Sequence, residues 1–232
     1  MNPQEGPTPR FSVGEGYAVY QGPTPDGSFH RHAAFQIAVA VRGEVSIVDA
    51  SDIHHRAVTL VVPPMERHRM LAATDLVVFY VEPHCVFADR LREHHGDGVT
   101  PAPELRGLRA EDIGRAGARP SGELDPRLVE ALDTLWDGNV PMPVLAATVG
   151  LSPQRLRALA RHQVGMPLTR WRVWARLRLA AEALQAGRSP AEAAFAAGFA
   201  DQAHLTRRMR EMTGLTPVAV LSLLRGQPLR AT

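Results

Sequence analysis

Two groups of side chains in this sequence have the types and spacing to do chemistry. His30 and His32 stand at alternate positions, so an extended chain would turn both imidazoles to one face. His68 follows the turn-forming pair Pro63-Pro64 and could meet them from a later strand. Three imidazoles in one cavity suit either a transition metal or a hydrogen-bonded small molecule, because buried imidazole with no partner is costly. His54-His55 falls in an expected surface turn, and His84, His94 and His95 follow no usable pattern. The second group is Arg and Gln at helical spacing. Gln154, Arg155, Arg157 and Arg161 form one set; Gln202, Ala203, His204, Arg207 and Arg210 form the other. Arg pairs bidentately with guanine and Gln with adenine, while Arg near a helix end more often neutralises phosphate.

The elements that must carry these groups differ between the halves of the chain. Gln36 to Val41, Val45 to Val48, Ala57 to Val62 and Leu76 to Val81 are short runs rich in Val, Ile and aromatics. Turn-formers separate them, which predicts antiparallel strands in a sandwich or barrel. Val86 to His94 reads as one short helix, and the Gly/Pro/Arg-rich stretch from Gly96 to Gly122 as a linker. From Leu124 onward the pattern is helical. Asp125-Pro126 opens a helix through Leu128, Leu132 and Leu135; a second runs from Pro143 to Val149, and Ser152-Pro153 opens a third. A long helix after Pro167 carries Trp171, Trp174, Leu177, Ala181 and Leu184 as a core stripe, its tryptophans read as packing. Ser189-Pro190 with Glu192 makes a capping box for a fifth helix; Gly198 ends it and Asp201 caps a sixth.

The fifth and sixth helices repeat the second and third. Gly150-Leu151 matches Gly198-Phe199, Ser152 matches Asp201, Leu156 matches Leu205, Arg161 matches Arg210 and Gly165 matches Gly214. Each copy is an Ala-rich helix, a Gly-apolar turn, a capping Ser or Asp, and a helix with apolar anchors and exposed Arg. That is the helix-turn-helix pattern, whose second helix suits a major groove. Leu156, Leu159 and Ala160 should face inward in the first copy, and Leu205, Met209 and Met212 in the second, leaving the Arg and Gln positions outside. A connecting helix of about 18 residues spans ~27 Å, the order of the ~34 Å between successive major grooves.

Charge agrees with this division. Every basic residue is Arg. From Pro141 onward 13 Arg face 4 acidic residues, whereas before it 13 Arg face 20, giving about +9 and −7. Such asymmetry is expected when one domain meets a polyanion. No apolar stretch is long enough for a membrane span, the N-terminal residues lack an apolar signal core, and the single Cys85 fits a reducing, cytoplasmic setting.

The segment from about Leu124 to Ser222 resembles the DNA-binding domain of AraC/XylS-type transcriptional regulators. AAGFADQAHLTRRMREMTGLTP looks like that family's second helix-turn-helix, and LRLAAEALQAG like its linker helix. The chain departs from the family at Ala160-Arg161 and Met209-Arg210, where Phe-Lys is usual, and at Val220-Leu221, where Tyr-Arg is usual. Carried over, the base-contacting positions fall on Gln154, Arg157 and Ala158, then on Ala203, His204 and Arg207. The resemblance implies double-stranded DNA and a homodimer, with helices at Val86 to His94 and Leu124 to Leu135 as candidates for assembly, and admits RNA polymerase as a protein partner. Phe29-His30-Arg31-His32 with Gln36 and Gly43, followed by Pro63 to His68, also looks like the two cupin motifs, with Gln replacing Glu and Met65 replacing Gly. This implies an N-terminal antiparallel β-barrel in which His30, His32, Gln36 and His68 contact an effector. That set would serve one divalent Zn, Ni, Cu or Fe ion, or line a metal-free small-molecule pocket. The expected architecture is therefore α+β in two domains: a cupin-like effector domain over 10–83, a helix and linker over 84–123, and a DNA-binding domain over 124–226. The function expected is effector-controlled transcription regulation without enzymatic activity. A cupin metalloenzyme, dioxygenase or isomerase, fused to a DNA-binding domain is the rival reading.

Overall fold

A computed structural model of the 232-residue chain describes residues 9–117, 119–137 and 140–224. Residues 225 and 226, which close the expected DNA-binding domain, lie outside the described residues, as does most of the polar N-terminal stretch. The N-terminal half is antiparallel β throughout. One sheet has six strands in the order β1 (Arg10–Gly14), β2 (Tyr17–Thr24), β8 (Ala73–Val81), β3 (Phe35–Ala40), β6 (Thr59–Val62) and β9 (Thr100–Pro101). The other has three, β5 (His54–Ala57), β4 (Val45–Asp49) and β7 (His68–Met70).

Burial explains why β3 reads as a continuous apolar run. All six of its residues are buried, because it lies inside the sheet and both faces are covered. Ala38 and Ala40 pack toward the smaller sheet with Ile47, Leu60 and Leu76. Phe35, Ile37 and Val39 pack on the other side against α1 (Val86–His95) and α2 (Ala110–Gly117), through Phe87, Leu91 and Ile113.

Two expectations need correcting here. The barrel does not close: β1 and β9 remain edges of the larger sheet, and β5 and β7 are edges of the smaller. The six-stranded sheet instead buries its outer face under helices. The stretch from Gly96 to Gly122 is no structureless linker either. It supplies β9, which pairs with β6 at Thr100–Val61 and Pro101–Leu60, and α2, whose Ile113 is fully buried. Its Gly and Pro residues mark turns between short elements.

The helical domain follows the expected order. α3 (Pro126–Asp137), α4 (Met142–Thr148), α5 (Pro153–Gln163), α6 (Leu168–Gln185), α7 (Pro190–Ala196) and α8 (Gln202–Thr213) are succeeded by α9 (Pro217–Leu224), which the sequence reading lacked. Ser152 Oγ accepts from the Arg155 N–H, Asp201 from the His204 N–H, and Ser189 with Glu192 forms the full capping box. α6 has the 18 residues expected, and buries Trp171 completely, its indole N–H donating to the Leu132 carbonyl at 2.9 Å. The helices proposed for assembly are committed within the chain: α1 buries Phe87, Ala88 and Leu91, and α3 buries Leu128, Val129, Leu132 and Leu135. Ala33 and Ala34, just before β3, are buried in the helical core, so the two domains pack directly on each other.

Candidate functional site

The three histidines come together. The segment before β3 pairs with the start of β7 through a two-way bridge: the His30 N–H donates to the His68 carbonyl at 2.9 Å, and the His68 N–H to the His30 carbonyl at 3.2 Å. His30 and His32 thus sit on an irregular extended approach to β3, and not within a regular strand as alternation suggested. One ring nitrogen from each of the three lies within 4.8 Å of the others. All three are buried, as is Gln36 in β3.

Their hydrogen bonds fix the tautomers. Nδ1 of His30 meets the Ser28 carbonyl at 2.9 Å, Nδ1 of His32 the Ala34 carbonyl at 2.7 Å, and Nδ1 of His68 the Glu66 carbonyl at 3.0 Å. A carbonyl only accepts, so each Nδ1 carries the proton. Burial lowers the pKa of all three, that of His32 to about 3, which keeps the rings neutral. Each Nε2 therefore presents a lone pair. Gln36 Oε1 stands 2.8 Å from Nε2 of His32 and 3.1 Å from Nε2 of His68. If the amide were turned the other way it could donate to both rings, but Nε2 of His30 would still be buried without a partner among the described residues. Three imidazole lone pairs with an amide oxygen, each ring held from behind by a backbone carbonyl, is a donor set that fits a divalent transition metal.

A cavity of about 180 Å³ opens beside this cluster, between the domains. Its N-terminal wall comes from β1, β2 and β8 (Val13, Tyr20 and Tyr80 among others). Its C-terminal wall comes from α6, α8 and the segment after α8, including Trp174, Ala181, Met209 and Gly214. His30 and Met70 belong to its lining. Trp174 is buried in the helical core, as expected, and also borders this space, with Tyr80 at 5.7 Å and His32 at 6.3 Å between ring centroids. Arg178 and Glu82 provide an ion pair across the boundary at 3.3 Å. Burial pushes the Glu82 carboxyl up, while His84 and Arg178 draw it back. Sequence reasoning missed this cavity because its lining runs from Phe11 to Val220, and no local spacing encodes it.

The residues expected to face DNA lie on the sides of α5 and α8 where helical periodicity put them. Leu156, Leu159 and Ala160 of α5 and Leu205, Met209 and Met212 of α8 are buried. Gln154, Arg155, Arg157, Arg161, Gln202, Ala203, Arg207 and Arg210 are exposed. His204 is half-buried: its ring packs edge-on against Phe199 at 5.3 Å, and the Ala200 N–H approaches its Nδ1 at 3.5 Å. The turns of the two repeats superpose in hydrogen bonding. The Leu151 N–H donates to Ala146 and the Phe199 N–H to Ala194, each across a left-handed glycine, Gly150 at φ +67° and Gly198 at φ +72°. This is the turn that lets the second helix leave at a steep angle.

Comparison with known proteins agrees with this arrangement. Residues 145–222 match the model of a helix-turn-helix domain family. No curated protein matches the chain significantly. Among solved structures, ToxT from Vibrio cholerae O395 is similar over 91% of this chain and 99% of its own, at 10% identity and a TM-score of 0.60. Wild-type ToxT from strain SCE256 bound to an unsaturated fatty acid is similar over 98% and 100%, at 12% identity and a TM-score of 0.60. An AraC-type transcriptional regulator from Chromobacterium violaceum matches over 43% of this chain and 92% of its own, at 23% identity and a TM-score of 0.41. Residues 145–222 thus match a helix-turn-helix domain family, set behind an N-terminal antiparallel sheet domain in a fold similar to that of ToxT.

Proposed function

We propose that the protein is a sequence-specific transcriptional regulator whose grip on DNA is set by an effector held between the sheets and the helical domain. The observation that carries this reading is the shared cavity: α8, the reader of the second unit, forms part of its wall. A ligand there contacts the sensor and the DNA reader at once, so it can shift the reader by as much as it prefers one arrangement over another. The unsaturated fatty acid bound by a ToxT of similar fold supports an effector with a mostly apolar body, and it is that apolar body, not the acid group, that carries over to this cavity. Gln154, Arg155, Arg157 and Arg161 read or grip one half of the site; Gln202, Ala203, His204, Arg207 and Arg210 do so at the other.

The cupin-like cluster His30, His32, Gln36 and His68 borders the cavity and would hold one divalent transition ion, which would brace the sensor wall. The protein acts in the cytoplasm, as a homodimer on DNA, with RNA polymerase as its protein partner. In vitro selection with the full chain should return a discrete duplex sequence whose contacts span two successive major grooves. Binding should weaken steeply with salt as phosphate-bound counterions are released. Recovery of random sequence would overturn the regulator reading, and sedimentation of a monomer on the selected duplex would remove the dimer.

A further inference from the structure

We infer that the interdomain cavity admits uncharged ligands and rejects carboxylates, because Glu82 already occupies the one arginine that an acid ligand could use. The inference rests on the cavity being the effector site and deepens that reading by naming the ligand class.

The charges around the cavity are few and already paired. Among its described lining residues Arg178 is the sole Arg or Lys, while Asp26 and Glu82 are acidic. Arg178 is held from three sides. Its Nη1 meets Glu82 Oε1 at 3.3 Å, its Nε donates to Glu182 Oε1 at 2.9 Å, and its guanidinium lies over the Trp136 ring at 4.1 Å. Two carboxylates thus share one guanidinium. Glu82 is only 4% exposed and has His84 Nε2 3.7 Å from its second oxygen, so water does little to screen it. A ligand carboxylate entering beside this group would give up its hydration, find the cation engaged, and face Glu82 and Asp26 as like charges.

The remaining surface favours the opposite chemistry. Val13, Tyr80, Trp174, Leu177, Ala181 and Met209 offer aliphatic and aromatic contact. An apolar cavity of about 150 Å³ takes benzene, so about 180 Å³ suits one or two fused rings or a short branched chain. Glu82 is the specificity-determining residue, because it takes the place on Arg178 that a ligand's own acid group would fill.

The test uses the full chain at neutral pH and a matched pair of probes, naphthalene-1-methanol and 1-naphthoate, read by calorimetry and by quenching of tryptophan fluorescence. Wild type should bind the alcohol about tenfold or more tightly than the acid. Glu82→Gln, which removes the buried like charge and opens the Nη1 side of Arg178 while Glu182 keeps Nε, should bring the acid to at least the affinity of the alcohol while changing the alcohol little. Ala181→Trp, which fills the cavity, should abolish binding of both. Equal binding of acid and alcohol by wild type, blocked by Ala181→Trp, overturns the selectivity but keeps the cavity as the effector site. Binding that survives Ala181→Trp overturns the cavity itself. Binding of neither probe by wild type sinks the inference for ligands of this size, and the wild-type comparison stands even if Glu82→Gln does not fold.

Discussion

The two helix-turn-helix units share one local design but differ in what surrounds them. α4–α5 and α7–α8 have matching caps, matching left-handed turn glycines and matching buried anchors at Leu156 and Leu205. Yet among the described residues no hydrogen bond or ion pair joins α4 or α5 to the N-terminal domain. α8 is held there directly. The Arg31 N–H donates to the Glu211 carbonyl at 3.3 Å, and Met209 and Thr213 line the cavity, while Arg170 and Arg208 hold the Glu211 carboxylate from within the helical domain. The glycines that end the two second helices make the contrast sharp. A Cβ on Gly165 would meet nothing within 4 Å among the described residues, whereas one on Gly214 would lie 3.1 Å from Nδ1 of His30. The first unit therefore stands free of the N-terminal domain and the second is docked on it. Under the proposed function that docking would make the second unit the responsive one.

The largest expected effect tests whether this difference is energetic. Leu156→Ala and Leu205→Ala should each cost about 2–5 kcal/mol in chemical unfolding, as cavity-forming changes at fully buried sites do. Only Leu205→Ala should also lower the unfolding midpoint of the sheet domain. Equal behaviour of the two variants there would break the asymmetry. Next come the readers. Arg157→Ala and Arg207→Ala should each reduce discrimination at one base pair by about 1–3 kcal/mol, measured by competition with single-base variants of the selected duplex. If both bind that duplex like wild type, the reading face is misassigned. A cavity ligand should alter protection of the bases read by α8 and leave those read by α5 unchanged.

Smaller effects refine the picture. Gly165→Ala and Gly214→Ala both place a Cβ in the left-handed region, at a cost of about 1–2 kcal/mol. The Gly214 variant should lose more, because His30 must also give way, and the excess should vanish in Gly214→Ala combined with His30→Ala. An excess that persists would mean that His30 is not the contact that matters. The smallest effect is on salt dependence. Arg161→Ala and Arg210→Ala should each lower the slope of log affinity against log salt by about one, without changing sequence preference. A loss of preference in either would move that residue from the phosphates to the bases.

Legibility followed the range of the interactions. The helical half could be read because caps, periodicity and left-handed glycines act within a few residues. Ser152, Ser189 and Asp201 cap the helices they were expected to cap, and the repeat locates both units. The His cluster was half legible: spacing put His30, His32 and His68 together, but not the bridge between His30 and His68 that does so without a regular strand. β1 and β2 escaped notice because their side chains are mostly half-buried and give no clean alternation. β1 pairs only with β2, and β2 is placed by β8, some fifty to sixty positions along the chain. The stretch from Gly96 to Gly122 looked like a linker by composition, yet Ile113 and the pairing of β9 tie it to the sheet.

The sequence by itself determined the repeat, the caps and the outward Arg and Gln positions, since a helix period and its end signals are local physics. Charge partition between the halves was determined there too. Only the tertiary structure decided that the sheets stay open, that Trp174 borders a cavity, that Glu82 occupies Arg178, and that, of α5 and α8, only α8 is hydrogen-bonded to the N-terminal domain among the described residues. Each of these depends on side chains far apart in the chain meeting at one surface, and burial there sets both their partners and their charge.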